Sequence, residues 1–183
     1  PTEEDGWQHA LTLPRQLRIK EGRLIQTPLE ELKGLRRQQW SFERAESFNS
    51  AGEMLRRELG PVFEAELQFS DCRFMSLQLR RGTSLTWEDG VLTLSMEEGG
   101  FGRTRRHGAL GKLEKLQIFS DVPSLEIFVN GGEQVFSSRV YADCGHDGEK
   151  TGGYLRLEGD CEASGTVYRL GGFSVEKRKE NDK

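Results

Sequence analysis

Two carboxylates stand two residues apart in a segment of alternating polarity, and this spacing is the first place to look for acid–base chemistry. Glu64 and Glu66 lie in the run FEAELQF, residues 63–69, in which apolar and polar residues alternate. Residues two apart on a β-strand point to the same face, so the two carboxyls could work together as an acid and a base. The same alternation favours a simpler interpretation, which we adopt: both line a solvated face opposite an apolar stripe.

Four further acidic residues flank the apolar segment 91–94. They are Glu88, Asp89, Glu97 and Glu98. Their positions at the two ends of a predicted strand indicate strand-end and turn residues rather than a catalytic set.

A basic cluster in a glycine-rich stretch is the candidate for anion binding. Arg103, Arg105 and Arg106 precede His107, and their guanidinium groups could hold a phosphate by charge-assisted hydrogen bonds. The alternative, which we favour, is a solvated or interdomain surface.

Three cysteines, Cys72, Cys144 and Cys161, lack the paired CxxC or Cys/His spacing of metal sites. We predict no metal, and we interpret the thiols as small buried apolar groups. Because three cysteines cannot all pair and no Asn-x-Ser/Thr sequon occurs, a reducing cytoplasm is expected. The chain starts at Pro1 without an initiator methionine or signal sequence, which suggests a trimmed segment.

The elements that would position these residues are mostly strands. Residues 9–26 predict a hairpin with its reversal at Lys20-Glu21-Gly22. From Thr27 to Trp40, Pro28 and three leucines at helical spacing predict a short amphipathic helix. After Ser41 the period is two almost throughout. Beyond residues 63–69, the predicted strands are Arg73–Arg80, Ser84–Glu88, Val91–Met96, Lys115–Phe119, Leu125–Val129, Gln134–Tyr141, Gly153–Glu158, Gly165–Leu170 and Phe173–Lys177.

Many short strands with 22 glycines for turns predict an all-β sandwich or barrel. The strongest hairpin signal is Asn130-Gly131-Gly132, because Asn-Gly tolerates the positive φ of tight turns. Residues 176–183 are almost wholly polar and should fray. With 34% hydrophobic and 31% charged residues and a net charge of -4, the chain has the composition of a soluble protein, without the features of a partner for nucleic acid or membrane.

Two stretches resemble a known family. The stretch from Gly6 to Arg15, GWQHALTLPR, resembles the GW...LTLPR segment of glycoside hydrolase family 32, the bacterial sucrose-6-phosphate hydrolases and invertases, and residues 22–32 look like the GKLYQRPVREL passage that follows. Residues 116–141, which contain LQIFSD, SLEIFVNGGE and FSSRVY, are similar to the family's C-terminal hallmark IFVD.SSVEIFVNDGE..FTSRIYP. The two anchors stand in the family's order, about a hundred residues apart, which makes coincidence improbable.

The resemblance implies a division of the chain. Residues 1–28 would be the C-terminal strands of a five-bladed catalytic propeller, residues 29–40 a linker helix, and residues 41–183 an antiparallel two-sheet β-sandwich of jelly-roll or concanavalin-A-like kind. In the family, the nucleophile, the acid/base and the transition-state-stabilising residue come from Asn-Asp-Pro-Asn-Gly, Glu-Cys-Pro and Arg-Asp-Pro motifs. None of these motifs occurs in this sequence. The resemblance therefore implies no catalytic residue here and an inactive chain.

The same resemblance implies the partners and the remaining site residue. The parent enzyme would release terminal fructose from sucrose or sucrose 6-phosphate with retention and without a cofactor, and the missing propeller would be this chain's partner, with a homo-oligomer also open. Trp7 is the candidate for substrate contact, since aromatic residues line the family's fructose subsite; its alternative role is propeller packing. Trp40 and Trp87 are expected in the core or an interface. A free-standing carbohydrate-binding module is the alternative function, and an independent glycosidase the least favoured.

Overall fold

The computed structural model describes residues 11–100, 102–140 and 155–172. It contains eleven strands, two α-helices and two 3-10 helices in these residues. The elements before the long fourth strand are β1 (Arg15–Lys20), β2 (Arg23–Pro28), a 3-10 helix (Glu30–Leu35), β3 (Arg36–Phe42), α1 (Ala45–Ser50) and α2 (Gly52–Leu59). The remainder are β4 (Phe63–Arg80), β5 (Thr83–Glu88), β6 (Val91–Ser95), a 3-10 helix (Glu97–Gly100), β7 (Arg105–Ala109), β8 (Lys115–Asp121), β9 (Ser124–Val129), β10 (Gln134–Arg139) and β11 (Arg156–Leu170).

Nine of the strands form one antiparallel sheet, and β1 and β2 form a separate hairpin. The long strand β4 pairs with β11 along its length, while its other edge pairs first with β8 and then with β5. Strands β9 and β10 extend the sheet beyond β8, β6 and β7 extend it beyond β5, and β3 pairs with β11. The order of the main path is therefore β10-β9-β8-β4-β5-β6-β7.

The two ends of this path come back together, so the sheet curls into a nearly closed barrel. The side-chain amide of Gln134 on β10 donates to the carbonyl oxygen of Ala109 on β7. A Cβ added to Gly108 would lie 3.3 Å from the Phe136 ring, which shows how closely the end strands approach. The all-β antiparallel prediction is confirmed in this coarse form, but the two separate sheets that we expected are joined by continuous hydrogen bonding through β4 and β11.

Alternation along β4 builds the core. Phe63, Ala65 and Leu67 in its first half and Met75, Leu77 and Leu79 in its second half are all at most 2% exposed. The sequence predicts two separate strands here, whereas the structure joins them into one. The segments predicted at 153–158 and 165–170 likewise join in β11, from Arg156 onward.

Two predicted turns are confirmed by their backbone angles. Glu21 and Gly22 both have positive φ, 51° and 75°, which closes β1 onto β2. Asn130, Gly131 and Gly132 also have positive φ and connect β9 to β10. The first strand of the hairpin, however, begins at Arg15 rather than near residue 9; the part of the prediction at residues 9 and 10 lies outside the described residues.

The helix predicted from Thr27 to Trp40 is corrected. Only Glu30–Leu35 is helical, as a 3-10 helix, whose three-residue turn suits leucines at 29, 32 and 35. Arg36–Phe42 is a strand instead, because its backbone pairs with β11. The division of the chain at residues 28 and 40 stays a prediction.

The region after Ser41 is not all strand, because α1 and α2 occupy residues 45–59 except Ala51. Phe48 on α1 and Leu55 and Leu59 on α2 are buried against the sheet. The Asn49 side chain holds α1 on β11 by accepting from the Leu157 backbone nitrogen (2.9 Å) and donating to the Leu157 oxygen (2.6 Å).

Among the described residues, no helix has the length and hydropathy to cross a bilayer. The strand predicted at 173–177 and the fraying expected after it lie outside the described residues.

Candidate functional site

The β1–β2 hairpin is anchored on the outer face of the barrel by the carboxylate of Glu126. This residue lies on β9 and is only 5% exposed. Its Oε1 accepts from the Leu13 backbone nitrogen (3.0 Å), and its Oε2 accepts from Ser137 Oγ (3.0 Å) and from the Arg15 guanidinium. Arg15 also lies over the Phe128 ring, 5.4 Å from its centroid. A buried carboxylate needs such partners, so the segment that enters the hairpin is tied to the barrel.

A second contact joins the hairpin to the β9–β10 turn. The Gln26 backbone nitrogen donates to the Gly132 oxygen at 3.0 Å. Gly132 has a φ of 98°, and a Cβ there would collide with the Gln26 carbonyl. The close approach of the two backbones therefore requires glycine at position 132.

Gly132→Ala is expected to undock the hairpin. The added methyl group displaces Gln26 and breaks its backbone hydrogen bond, at a cost of about 1–2 kcal/mol. Tryptic cleavage at the hairpin's arginines and lysines should then be about tenfold faster. Gly131→Ala is the matched control, because Gly131 also has positive φ, but a Cβ added to it would meet no atom within 4 Å. Equal cleavage rates in the two variants would contradict the contact.

A buried ion-pair network lies beside the hairpin, where the chain enters β3. Arg36 donates from Nε and Nη2 to the two oxygens of Glu64, both at 2.7 Å, and its Nη2 lies 2.9 Å from Glu66. Gln117 also donates to Glu64, at 2.8 Å, and the guanidinium stacks 3.8 Å from the centre of the Tyr168 ring. Hydrogen bonding to Glu64 raises the pKa of Arg36 further above its ordinary value, so the cation is permanent.

The network corrects our interpretation of Glu64. We expected a solvated residue, but the Glu64 side chain is 0% exposed, and that of Glu66 is 27% exposed. Arg36, from a strand that the sequence did not predict, covers both. Because Arg36 occupies both oxygens of Glu64, this carboxylate is an ion-pair anchor for β3 and not half of an acid–base pair.

A cleft of about 270 Å³ separates the hairpin from the barrel next to this network. The hairpin, the first 3-10 helix and the outer face of β4 and β8 all contribute to it. Its polar lining includes Gln16, Arg18, Lys33, Glu66, Lys115 and Gln117.

The hairpin also exposes an apolar face. Ile19 and Leu24 are directly paired, and Leu17 lies two residues from Ile19 on the same side. Their exposed fractions are 61% for Leu17, 73% for Ile19 and 48% for Leu24. Clustered exposed aliphatic side chains of this kind indicate a surface that another body covers. We call these three residues the apolar hairpin face.

The basic cluster is not gathered on one face. Arg105 and Arg106 are neighbours on β7, so their side chains point to opposite sides, Arg105 outward and Arg106 beside buried Leu94. Arg103 precedes the strand, and its backbone nitrogen donates to the Gly100 oxygen. Because Arg105 and Arg106 point to opposite sides of β7, the strand does not present both of them to one ligand. The anion site stays a prediction.

The remaining predicted residues fall as follows. Trp87 is 7% exposed with its indole nitrogen donating to the Leu110 oxygen (2.9 Å), and Trp40 packs partly buried on the core. Asp89 lies in the β5–β6 turn and has positive φ, which agrees with its interpretation as a turn residue.

Cys72 and Cys161 are half-buried against the core, whereas Trp7 and Cys144 lie outside the described residues. In the described part of the chain, no group of three or more His, Cys, Asp or Glu side chains could hold a metal ion.

The residues that sequence reasoning missed are Arg15, Arg36 and Glu126. The one available signal was Glu126 itself, a charged residue within the otherwise apolar run 125–129. A charge at a buried position of a strand indicates an ion-pair partner, although it does not say which one.

The fold and this face define an antiparallel β module that holds a preceding hairpin by a buried ion pair and a backbone hydrogen bond. The family model described as the C-terminal domain of glycosyl hydrolases family 32 matches residues 31–166. The chain therefore belongs to glycosyl hydrolase family 32, and it corresponds to the C-terminal region of the proteins in that family.

Individual relatives agree with this assignment. The chain is 34% identical over 154 residues to the sucrose-6-phosphate hydrolase of Salmonella typhimurium, covering 79% of this chain and 28% of the relative. It is 32% identical over 147 residues to that of Bacillus subtilis, covering 77% and 30%. Among solved structures, the sucrose-6-phosphate hydrolase of Lactobacillus gasseri matches with a TM-score of 0.67 at 21% identity, over 86% of this chain and 33% of the other. The Bombyx mori family 32 β-fructofuranosidase matches with a TM-score of 0.65 at 28% identity, over 92% and 34%. The chain spans about a third of the length of these relatives.

Proposed function

We propose that this chain is the non-catalytic C-terminal module of a β-fructofuranosidase and that it docks on and stabilises that enzyme's catalytic propeller. The observation that carries the proposal is the combination of family membership over residues 31–166 with the apolar hairpin face. The hairpin is held on the barrel through Glu126 and Gly132, so it can present its exposed face to neighbouring propeller strands. In this proposal residues 1–28 complete the propeller.

The chemistry of the whole enzyme is assigned to residues outside this chain. Retaining glycosidases need two carboxyl groups about 5–5.5 Å apart, one of them with a raised pKa. The family's three catalytic motifs do not occur in this sequence, and its close carboxylates Glu64 and Glu66 are both held by Arg36. The substrate proposed for the whole enzyme is sucrose or sucrose 6-phosphate, by similarity to the bacterial relatives, and the proposed compartment is the bacterial cytoplasm.

In this proposal the exposed hairpin face has a second consequence. Without the propeller, three aliphatic side chains remain largely in water, and burying what each still exposes gains about 1–2 kcal/mol. Two copies of the chain would then associate through this face. Self-association of the isolated chain is thus an expected by-product of its docking role.

The chain alone is expected to hydrolyse neither sucrose nor sucrose 6-phosphate. Release of reducing sugar by the 183-residue chain should equal the buffer blank, with the full-length Salmonella typhimurium relative as the positive control. Calorimetric titration with sucrose and fructose should show no binding, which separates the proposal from a free-standing carbohydrate-binding module. Turnover above the blank would overturn the proposal.

A further inference from the structure

Two cysteines face each other where the two longest strands bend. Along β4 and β11 the pairing of Ser70 with Glu162 is followed by that of Phe74 with Asp160. Three residues of β4, 71–73, therefore lie opposite the single residue Cys161 of β11. Asp71 has a φ of 48°, which turns β4 and brings Cys72 across from Cys161.

The two cysteines are neighbours across the bend. Both are free, both pack partly buried against the core, and each thiol affects the pKa of the other. Cβ atoms of directly opposite residues lie about 4.5–5.5 Å apart in an antiparallel pair, close to the roughly 3.5–4.5 Å of a disulfide. A local adjustment of the bulge would bring the two residues to the separation that a disulfide needs.

We propose that Cys72 and Cys161 form a covalent modification site, a reversible intrachain disulfide that joins β4 to β11 at their bend. The oxidant is a low-molecular-weight disulfide of the glutathione class. One thiolate attacks it to give a mixed disulfide and releases one small thiol. The second cysteine then attacks the mixed disulfide, so an S–S bond forms in the protein, and the oxidant leaves as two small thiols that carry the two protons given up by the cysteines.

The location gives this bond a large effect on stability. The disulfide would close a loop of roughly 90 residues, which restricts the unfolded chain strongly. The joined strands also carry Glu64 and Glu66 on β4 and Tyr168 on β11, the residues that hold Arg36. Oxidation would therefore stabilise the part of the barrel that holds Arg36 and, through it, β3.

The environment of the thiols predicts slow formation at neutral pH. Burial raises the pKa of Cys72 to about 12, and burial also raises the pKa of Cys161. Since the thiolate is the nucleophile, the rate of formation should rise about tenfold for each pH unit from 7 to 9. The same burial protects the finished bond from external thiols.

The test uses the full chain treated with oxidised glutathione at about pH 8.5, near the pKa of an ordinary thiol. Tryptic peptides mapped without reduction should include a linked pair that contains Cys72, in the peptide ending at Arg73, and Cys161, in the peptide ending at Arg169. The melting temperature should rise by about 5–10 °C and return to its starting value with dithiothreitol.

Three variants separate this pair from the third cysteine. Cys144→Ser should keep the linked peptide and the temperature shift, whereas Cys72→Ser and Cys161→Ser should lose both. Peptide mapping of the unaltered chain keeps the proposal testable if a variant fails to fold. Glutathione adducts without the linked peptide, or a link that contains Cys144, would overturn it.

Discussion

Replacing Arg36 by methionine is expected to lower the free energy of unfolding by about 3–5 kcal/mol. Methionine keeps most of the apolar stem of arginine but removes the positive charge. Glu64 then remains as an unpaired carboxylate, because its side chain is 0% exposed and both of its bonds to Arg36 are lost. The stability is lost because a buried charge remains without its counter-ion, and this is among the most destabilising changes that a single substitution can cause.

The neighbouring arginine supplies a matched control. Arg37 is exposed, and its partners among the described residues are two backbone oxygens, those of Gly34 and Arg36. Arg37→Met should therefore change the free energy of unfolding by less than about 1 kcal/mol. Urea unfolding followed by tryptophan fluorescence measures both variants.

A double variant tests whether charge is the cause. Adding Glu64→Gln to Arg36→Met removes the orphan carboxylate, and the new amide oxygen can still accept from Gln117. The double variant should recover at least half of the loss. If the two single substitutions simply add, the ion pair is not what anchors β3.

Local signals in the sequence were enough for the turns and most strands. Asn130-Gly131 and Glu21-Gly22 need positive φ, and both turns are where their residue types predict them. Alternation predicted the buried side of β4, since that pattern depends only on neighbouring residues. These features are local, so a single sequence carries them.

The helices show where local pattern fails. Phe48, Leu55 and Leu59 follow helical spacing. However, α1 and α2 are only six and eight residues long, and they lie among segments of alternating polarity, so the sequence pattern did not predict them. The joining of strands at Asp71 also escaped prediction. A polar Ser70-Asp71 pair is typical of a turn, whereas here it bends β4 without ending it.

The residues that anchor β3 and the hairpin depend on partners that are distant in the sequence. Arg36 and Glu64 are 28 positions apart, and Arg15 and Glu126 are 111 positions apart. Nothing near Glu64 distinguishes it from a solvated strand residue. Its burial follows from the pairing of β3 with β11, which is a property of the whole sheet.

The second large effect is expected when the apolar hairpin face is made polar. At protein concentrations low enough to keep the chain monomeric, the variant Leu17→Gln, Ile19→Gln, Leu24→Gln should unfold like the unaltered chain, because these side chains are already exposed. Light scattering should show that it no longer self-associates.

In a complete enzyme the same three substitutions should be severe. The test enzyme is a chimera: the Salmonella typhimurium sucrose-6-phosphate hydrolase with its aligned C-terminal region replaced by this chain. Burial of what these three side chains still expose contributes about 3–5 kcal/mol, so the polar variant of this chimera should be inactivated far faster on heating. Val122→Gln is the control, since Val122 is an exposed apolar residue (54%) outside the hairpin. Equal heat resistance of the polar-face variant and the unaltered chimera would show that this face is not buried there.

The central claim, that this chain docks on and stabilises a fructosidase propeller, is tested most directly by the half-life of sucrose-hydrolysing activity at raised temperature. The measurement compares the chimera with the same catalytic region ending after the strands of residues 1–28, so that the propeller is complete and the rest of the module is missing. We predict that the chimera hydrolyses sucrose and retains activity at least tenfold longer than the catalytic region alone, which corresponds to about 1.4 kcal/mol in the barrier to inactivation. Equal half-lives, or an inactive chimera that is nonetheless folded, would contradict the claim.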